Sequence, residues 1–277
     1  MNKSYISRIF ILLIVALSLS FSSCKHQKLL KSDDHELKLT TAIEYYEEGR
    51  YSRSISLLHS VNPIYRGTQK AEKVNYYFAM AHYKQGDYIY AAHLFQTFYQ
   101  TFPNSEHAEH FFFLSAYCKY LMSPRYNLDQ TPTKEAIQQF QRFVNRYPNS
   151  ERVEQANELI DELRLKLEKK AFNNAMLYYN LGIYNAAATA FQTVIVDYPD
   201  IKYREEAMFY IIDAYFRFAE NSIAERQKER YQKAVTAYNR FVRSFPDSEL
   251  RSRADNIHER SINRINEFTQ LEASARE

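Results

Sequence analysis

Hydrophobic positions along the chain fall into blocks with helical spacing, and the blocks recur. The stretch FQTFYQTFP (95–103) aligns on its proline with FQRFVNRYP (140–148), FQTVIVDYP (191–199) and YNRFVRSFP (238–246). In all four an aromatic stands eight residues before the proline and another immediately before it, and alanine stands twelve before it at Ala91, Ala136, Ala187 and Ala234. Asn or Asp follows the proline at Asn104, Asn149, Asp200 and Asp247, and a serine comes next at Ser105, Ser150 and Ser248. Upstream, GDY (86–88) recurs as GIY (182–184) and GRY (49–51).

This pattern predicts helix hairpins. Glycine at a helix C-terminus permits the left-handed residue that closes a first helix. Alanine near the start of the second helix lets two backbones approach closely, and the aromatic four residues later lies on the same face. Proline stops that second helix, and Asn, Asp or Ser then supplies an N-cap for the next. Glycine, tyrosine, alanine, aromatic and proline at these offsets match the tetratricopeptide repeat (TPR), whose period is about 34 residues. The prolines here lie 45, 51 and 47 residues apart, so the extra length belongs to insertions or to elongated first helices. The expected fold is all-α, a TPR-like α-solenoid of about five helix hairpins plus a C-terminal capping helix. Copies one to three form an N-terminal half, 36–150, and copies four and five with the capping helix form a C-terminal half, 151–277. Copy one is degenerate, with Ser54 at the alanine position and Leu58 at the aromatic one. Copy three carries the insertion SPRYNLDQTPT, copy four opens with a long helix over about 151–181, and copy five holds the charged insertion NSIAERQKER.

The first residues break the pattern. IFILLIVALSL (9–19) is an 11-residue apolar run behind Lys3 and Arg8, too short to span a bilayer and suited to a signal-peptide core. FSSC then resembles a lipobox, in which Cys24 becomes the lipidated first residue, although Phe21 stands where such motifs usually have Leu; the alternative is an ordinary signal peptide cut near Ser23 that leaves Cys24 an incidental thiol. Residues 1–23 are thus read as a lipoprotein signal peptide and 24–35 as a lipidated, solvated tether. Without Lys3 and Arg8 the formal net charge falls from +3 to +1. So balanced a chain lacks the basic excess that nucleic acid demands. Only 4 glycines and 7 prolines argue against hairpin-rich β architecture, while 24 tyrosines, 19 phenylalanines and no tryptophan suit helices interlocked by rings.

No constellation of catalytic residues stands out. There is no glycine-rich phosphate loop, and His107 and His110 lack a third ligand at a zinc-site distance. Cys118, inside FFFLSAYCKYLM, reads as a small buried side chain. The expectation is therefore a non-enzyme without cofactor or metal, acting through shape. First helices of stacked hairpins line a groove, and the register places Ile43, Tyr46, Tyr76, Met80, Tyr83 and Lys84 along it as a wall for an extended peptide, with packing between copies as the even alternative.

Taken together, the lipobox, the TPR-like copies, LDQT (128–131), RYPNS (146–150) and AMLYYNLGIYNAA (175–187) resemble the BamD family of lipoproteins of the outer-membrane β-barrel assembly (BAM) machinery. The resemblance implies lipid anchoring at the periplasmic face of the outer membrane. It further implies an N-terminal half engaged with unfolded outer-membrane protein precursors and a C-terminal half docked on the POTRA domains of BamA, among other BAM subunits. Many members of that family carry Arg where this chain has Ala190, and the BamA-facing residues are not assigned. Two other readings of a TPR lipoprotein stay open: a periplasmic scaffold for envelope or peptidoglycan work, and a glycan-binding uptake protein, although the latter usually exposes tryptophan.

Overall fold

The computed structural model describes residues 26–274. The expected signal peptide (1–23), Cys24 and Lys25 lie outside the described residues. Among those described, every regular element is a helix: α1 (His35–Glu47), α2 (Tyr51–Tyr65), α3 (Ala71–Gln85), α4 (Tyr88–Thr101), α5 (Ala108–Leu121), α6 (Thr131–Arg146), α7 (Val153–Asn180), α8 (Tyr184–Asp197), α9 (Arg204–Glu220), α10 (Ala224–Ser244) and α11 (Arg251–Ser274). They pack as consecutive pairs, as a TPR-like α-solenoid requires. None is long and apolar enough to cross a membrane.

The chain divides into two compact units. The first takes in the described residues to Pro124 together with Thr131–Ile160; the second takes in Arg125–Gln130 and the described residues from Asp161 onward. The division thus falls inside the long helix α7, ten residues beyond the expected 150/151 boundary.

In the first unit the hairpin logic of the sequence is visible atom by atom. Gly86 closes α3 at φ 88° in the left-handed region, and its N–H donates to the Tyr83 carbonyl at 3.0 Å. Asp87 then caps α4, accepting the Tyr90 N–H. Ala91 and Ala136 are fully buried, and Phe95 and Phe140 beside them are sealed from solvent. Each such ring removed from water contributes about 1.5–3 kcal/mol. Leu39, Ala42 and Tyr45 of α1, Leu57, Leu58 and Val61 of α2, and Val74 and Phe78 of α3 form one core cluster. Residues 26–30 are helical rather than a free tether, and Leu29 and Leu30 pack against this cluster. The expected solvated tether over 24–35 is corrected to that extent: two leucines in KHQKLLKSDD have an apolar surface to cover.

In the second unit Ala187, Ala188 and Phe191 of α8 pack with Ala207, Ile212 and Phe216 of α9, Ala234 and Phe241 of α10, and Ala254 and Ile257 of α11. Helix α11 covers one face of this core, with Arg253 over Phe209 (4.5 Å) and Arg260 over Phe216 (4.4 Å), while its other face is polar. The copy-five insertion mostly lengthens a helix, since α10 begins at Ala224. The copy-three insertion contributes Arg125–Gln130 to this unit. Gln130 Nε2 donates to the carbonyls of Arg125 (2.8 Å) and Leu128 (3.1 Å), and on α7 Lys169 stands over the Tyr126 ring at 4.7 Å. Lys170 donates to the Leu128 carbonyl.

The serines after the prolines do more than cap. Ser105 Oγ accepts the His107 N–H (3.1 Å) and donates to Glu72 (2.6 Å) at the start of the preceding first helix. Ser150 does the same with the Arg152 N–H (3.1 Å) and Glu109 (2.6 Å), and Ser248 with the Leu250 N–H (3.0 Å) and Glu205. Copy four lacks the serine. Ile201 occupies its place, 3% exposed, and one carboxylate oxygen of Glu168 is left buried with no partner. Burial accordingly pushes the Glu168 carboxyl above its usual range.

Candidate functional site

The tyrosine three residues before each hairpin glycine meets the tyrosine two residues after it. Tyr46–Tyr51, Tyr83–Tyr88 and Tyr179–Tyr184 have ring centroids 5.7, 5.9 and 5.6 Å apart at interplanar angles of 60°, 57° and 68°. The glycine's positive φ turns the chain back so that the second tyrosine falls on the first helix; within 4 Å of a Cβ at Gly49, Gly86 or Gly182 there is nothing, so backbone conformation alone calls for glycine there.

In the first unit these pairs join into one aromatic wall. Tyr46 meets Tyr77 edge-on at 5.2 Å, Tyr77 meets Tyr76 at 5.2 Å, and Tyr76 stacks on Phe111 at 5.2 Å and 15°. Phe111 then contacts Phe95 at 4.7 Å, and Phe95 contacts Tyr83 at 5.8 Å. Edge-to-face and offset geometries of this kind add about 0.5–1.5 kcal/mol per pair beyond area burial, so the wall is held in shape before anything binds. Beside it opens a cleft of about 470 Å³, lined by Gln69, Glu72, Lys73, Tyr76, Tyr77 and His107.

Burial pushes the Tyr46 hydroxyl up to about 12 and raises those of Tyr77 and Tyr83. The wall is therefore neutral near pH 7, with broad apolar faces and phenol groups able to donate or accept a hydrogen bond. Glu72 and Lys73 bring one charge of each sign to the cleft. Such a surface presents apolar area and hydrogen-bonding groups rather than net charge.

Of the residues expected along the groove, Tyr46 and Tyr76 are brought together, with Tyr77 as the bridge; Tyr83 joins them through Phe95 and Phe111. Ile43 is half-buried against the core cluster, and Lys84 is exposed. Met80 is 9% exposed, so it offers almost no surface, and its placement on the groove is corrected to that extent. Sequence reasoning missed Tyr77 and His107. The YY pair at 76–77 was the available signal, since two adjacent helical positions face different neighbours. His107 stands at the N-cap position of α5, where its ring lies 4.5 Å from Tyr76. Cys118 is fully buried and free, with its thiol pushed up to about 12. No group of three His, Cys, Asp or Glu side chains that could hold a metal occurs among the described residues.

The second unit repeats the tyrosine pair in a polar setting. Tyr179 donates its hydroxyl to Asp213, a buried carboxylate that also accepts from Arg217 Nε at 2.8 Å. Arg217 stands 5.6 Å from the Tyr179 ring and 5.9 Å from Tyr184. Burial and the Asp213 hydrogen bond hold the Tyr179 hydroxyl far above the ordinary phenol range. On the same unit a cleft of about 830 Å³ is lined by Ile195, Val196, Met208 and Tyr215, with Arg204, Lys233 and Arg240 around it.

The sequence profile of the family described as "YfiO: Outer membrane lipoprotein" matches residues 33–230, which contain the aromatic wall, the cleft beside it and the tyrosine pairs. The chain belongs to this family. Curated relatives agree with that membership. An outer membrane protein assembly factor BamD of Caulobacter vibrioides is 26% identical over 74% of this chain, and the match covers 65% of that relative's own length, just under two thirds. Proteins of the same name from Pasteurella multocida and Neisseria meningitidis serogroup A are 21% and 25% identical, each over 77% of this chain and 86% of theirs. The GxY turns of this YfiO family member and its Tyr-Pro-Asn-Ser segment (147–150) lie within the matched span, which ends inside α10.

Proposed function

We propose that this protein is a lipid-anchored, non-enzymatic scaffold of the outer-membrane β-barrel assembly machinery. In this reading it is held at the periplasmic face by acylated Cys24, binds unfolded outer-membrane protein precursors along the first unit, and docks on the POTRA domains of BamA through the second. Membership in the YfiO family and the printed names of the relatives support the place in outer-membrane assembly. The observation that carries the precursor-binding part is the preformed wall of Tyr46, Tyr77 and Tyr76, with Tyr83 tied to it through buried Phe95 and Phe111, beside the open cleft that Tyr76 and Tyr77 line. Tyrosine offers large apolar area and a hydroxyl with only two side-chain torsions to order, which suits tolerant capture of aromatic-ended segments.

For the docking part, Ala190 is half-buried against the second unit's core and offers no cation where many family members carry Arg. The arginines and lysine around the 830 Å³ cleft, with 74%-exposed Val196 inside it, supply a candidate surface instead.

The test is binding of a peptide with the sequence of a C-terminal barrel strand. Replacing Tyr46, Tyr76 and Tyr83 together with Ala is expected to weaken it at least several-fold, since buried aromatic anchors commonly exceed about 1 kcal/mol each. A Tyr→Leu version at the same three sites keeps more of the packing and separates loss of binding from loss of fold. Unchanged affinity in a triple variant with normal helix content would contradict the wall's role.

A further inference from the structure

The segment that follows Cys24 is fastened to the fold almost at once. His26 Nε2 lies 2.9 Å from Ser56 Oγ, and its ring sits 5.7 Å from that of Tyr45. Leu29 and Leu30 continue the attachment by packing against the core of α1, α2 and α3. Only Lys25 separates Cys24 from His26, and two extended residues reach at most about 7 Å. Acyl chains on Cys24 would thus keep the α1–α2 turn within reach of the headgroups, while leaving the tilt of the first unit to be set by other contacts.

The turn has the chemistry for that position. Arg50 and Arg53 lie over the Tyr45 ring at 4.8 and 5.9 Å, next to the docked histidine. Arg50 also pairs with Glu48 at 2.8 Å, while Arg53 is half-buried, has no ion pair among the described residues and keeps one terminal nitrogen buried and without a partner. On the docked segment Lys28 and Lys31 are exposed, and the first acids, Asp33 and Asp34, come only after it. We propose that this edge of the first unit, built from Arg50, Arg53, Lys28 and Lys31, is a phospholipid-binding surface that rests on the phosphates of an anionic leaflet. The proposal relies on the lipid anchoring at Cys24 put forward above. Basic side chains near such a surface are drawn to it, and an acyl anchor combined with a basic patch makes attachment stable where one chain alone is marginal. The consequence is orientation: the first hairpin is fixed relative to the leaflet, and the tyrosine wall is presented at a set height.

The experiment uses the acylated full-length protein in vesicles of phosphatidylcholine and phosphatidylglycerol that carry a headgroup quencher. A fluorophore is attached through Ser52→Cys, beside the turn, or through Asn104→Cys, beyond the C-terminal end of α4, a 14-residue helix about 20 Å long. Buried Cys118 does not compete for the label. The expected result is quenching several-fold stronger at position 52 than at 104. That difference should be lost in Arg50→Gln/Arg53→Gln and kept in Arg50→Lys/Arg53→Lys, with helix content unchanged by circular dichroism. Equal quenching at the two positions, or a difference that survives the glutamine pair, overturns the proposal. Mass spectrometry showing Cys24 unacylated in a protein that leaves the vesicles overturns the anchor itself and is read separately from the quenching.

Discussion

Single residues show where the repeats are satisfied and where they are not. Ser54 occupies the alanine position of copy one; it is fully buried and its hydroxyl has no partner. A buried hydroxyl without a hydrogen bond costs about 1–3 kcal/mol. Ser54→Ala restores the residue found in the other four copies and is expected to raise stability by about 1 kcal/mol, as measured by urea unfolding; a loss of stability would mean the hydroxyl is bonded. His110 offers a pH-dependent counterpart. Burial, then Arg152 and His107, lower its pKa below the ordinary 6.5, with Glu109 opposing. The unfolded chain therefore binds more protons than the folded one, and stability rises with pH through this window. The contribution is present above about pH 6.5 and is lost as pH falls through the folded value. Melting temperature is expected to drop between about pH 7.5 and pH 5, and less steeply in His110→Gln; identical slopes would remove His110 from the account.

Among helices, what determines the stacking is a small set of positions used again and again. The glycine, the buried alanine and the aromatic four residues later were legible in the sequence because each answers a local demand: a left-handed residue, a close crossing, a ring on the same face. The serine was legible only as a cap. That its hydroxyl also reaches a glutamate 33 to 43 residues earlier depends on how one hairpin lies on the next, which spacing alone does not encode. Ser105→Ala removes both the cap to His107 and the bond to Glu72 and is expected to cost about 1 kcal/mol, followed by denaturant unfolding. Wild-type stability would mean the solvent replaces both bonds. Tethers and insertions were the least legible. Leu29 and Leu30 stand in a lysine-rich run, and Tyr126 and Leu128 in an irregular loop, so neither stretch has a periodicity that announces its partner.

For the whole molecule, the candidate wall was partly legible. Tyr46, Tyr76 and Tyr83 follow from the register of the first helices, whereas Met80 shares that register and is buried. Tyr77 and His107 complete the wall through contacts between successive copies. The central claim is that this YfiO family member works as a scaffold in outer-membrane protein assembly. Its most direct test is affinity capture of the acylated protein from detergent-solubilised membranes, with partners identified by mass spectrometry. The account predicts that BamA is the dominant partner, and that the Cys24→Ala protein is released into the soluble periplasmic fraction. Recovery of peptidoglycan-remodelling or glycan-uptake proteins in place of BamA would contradict it.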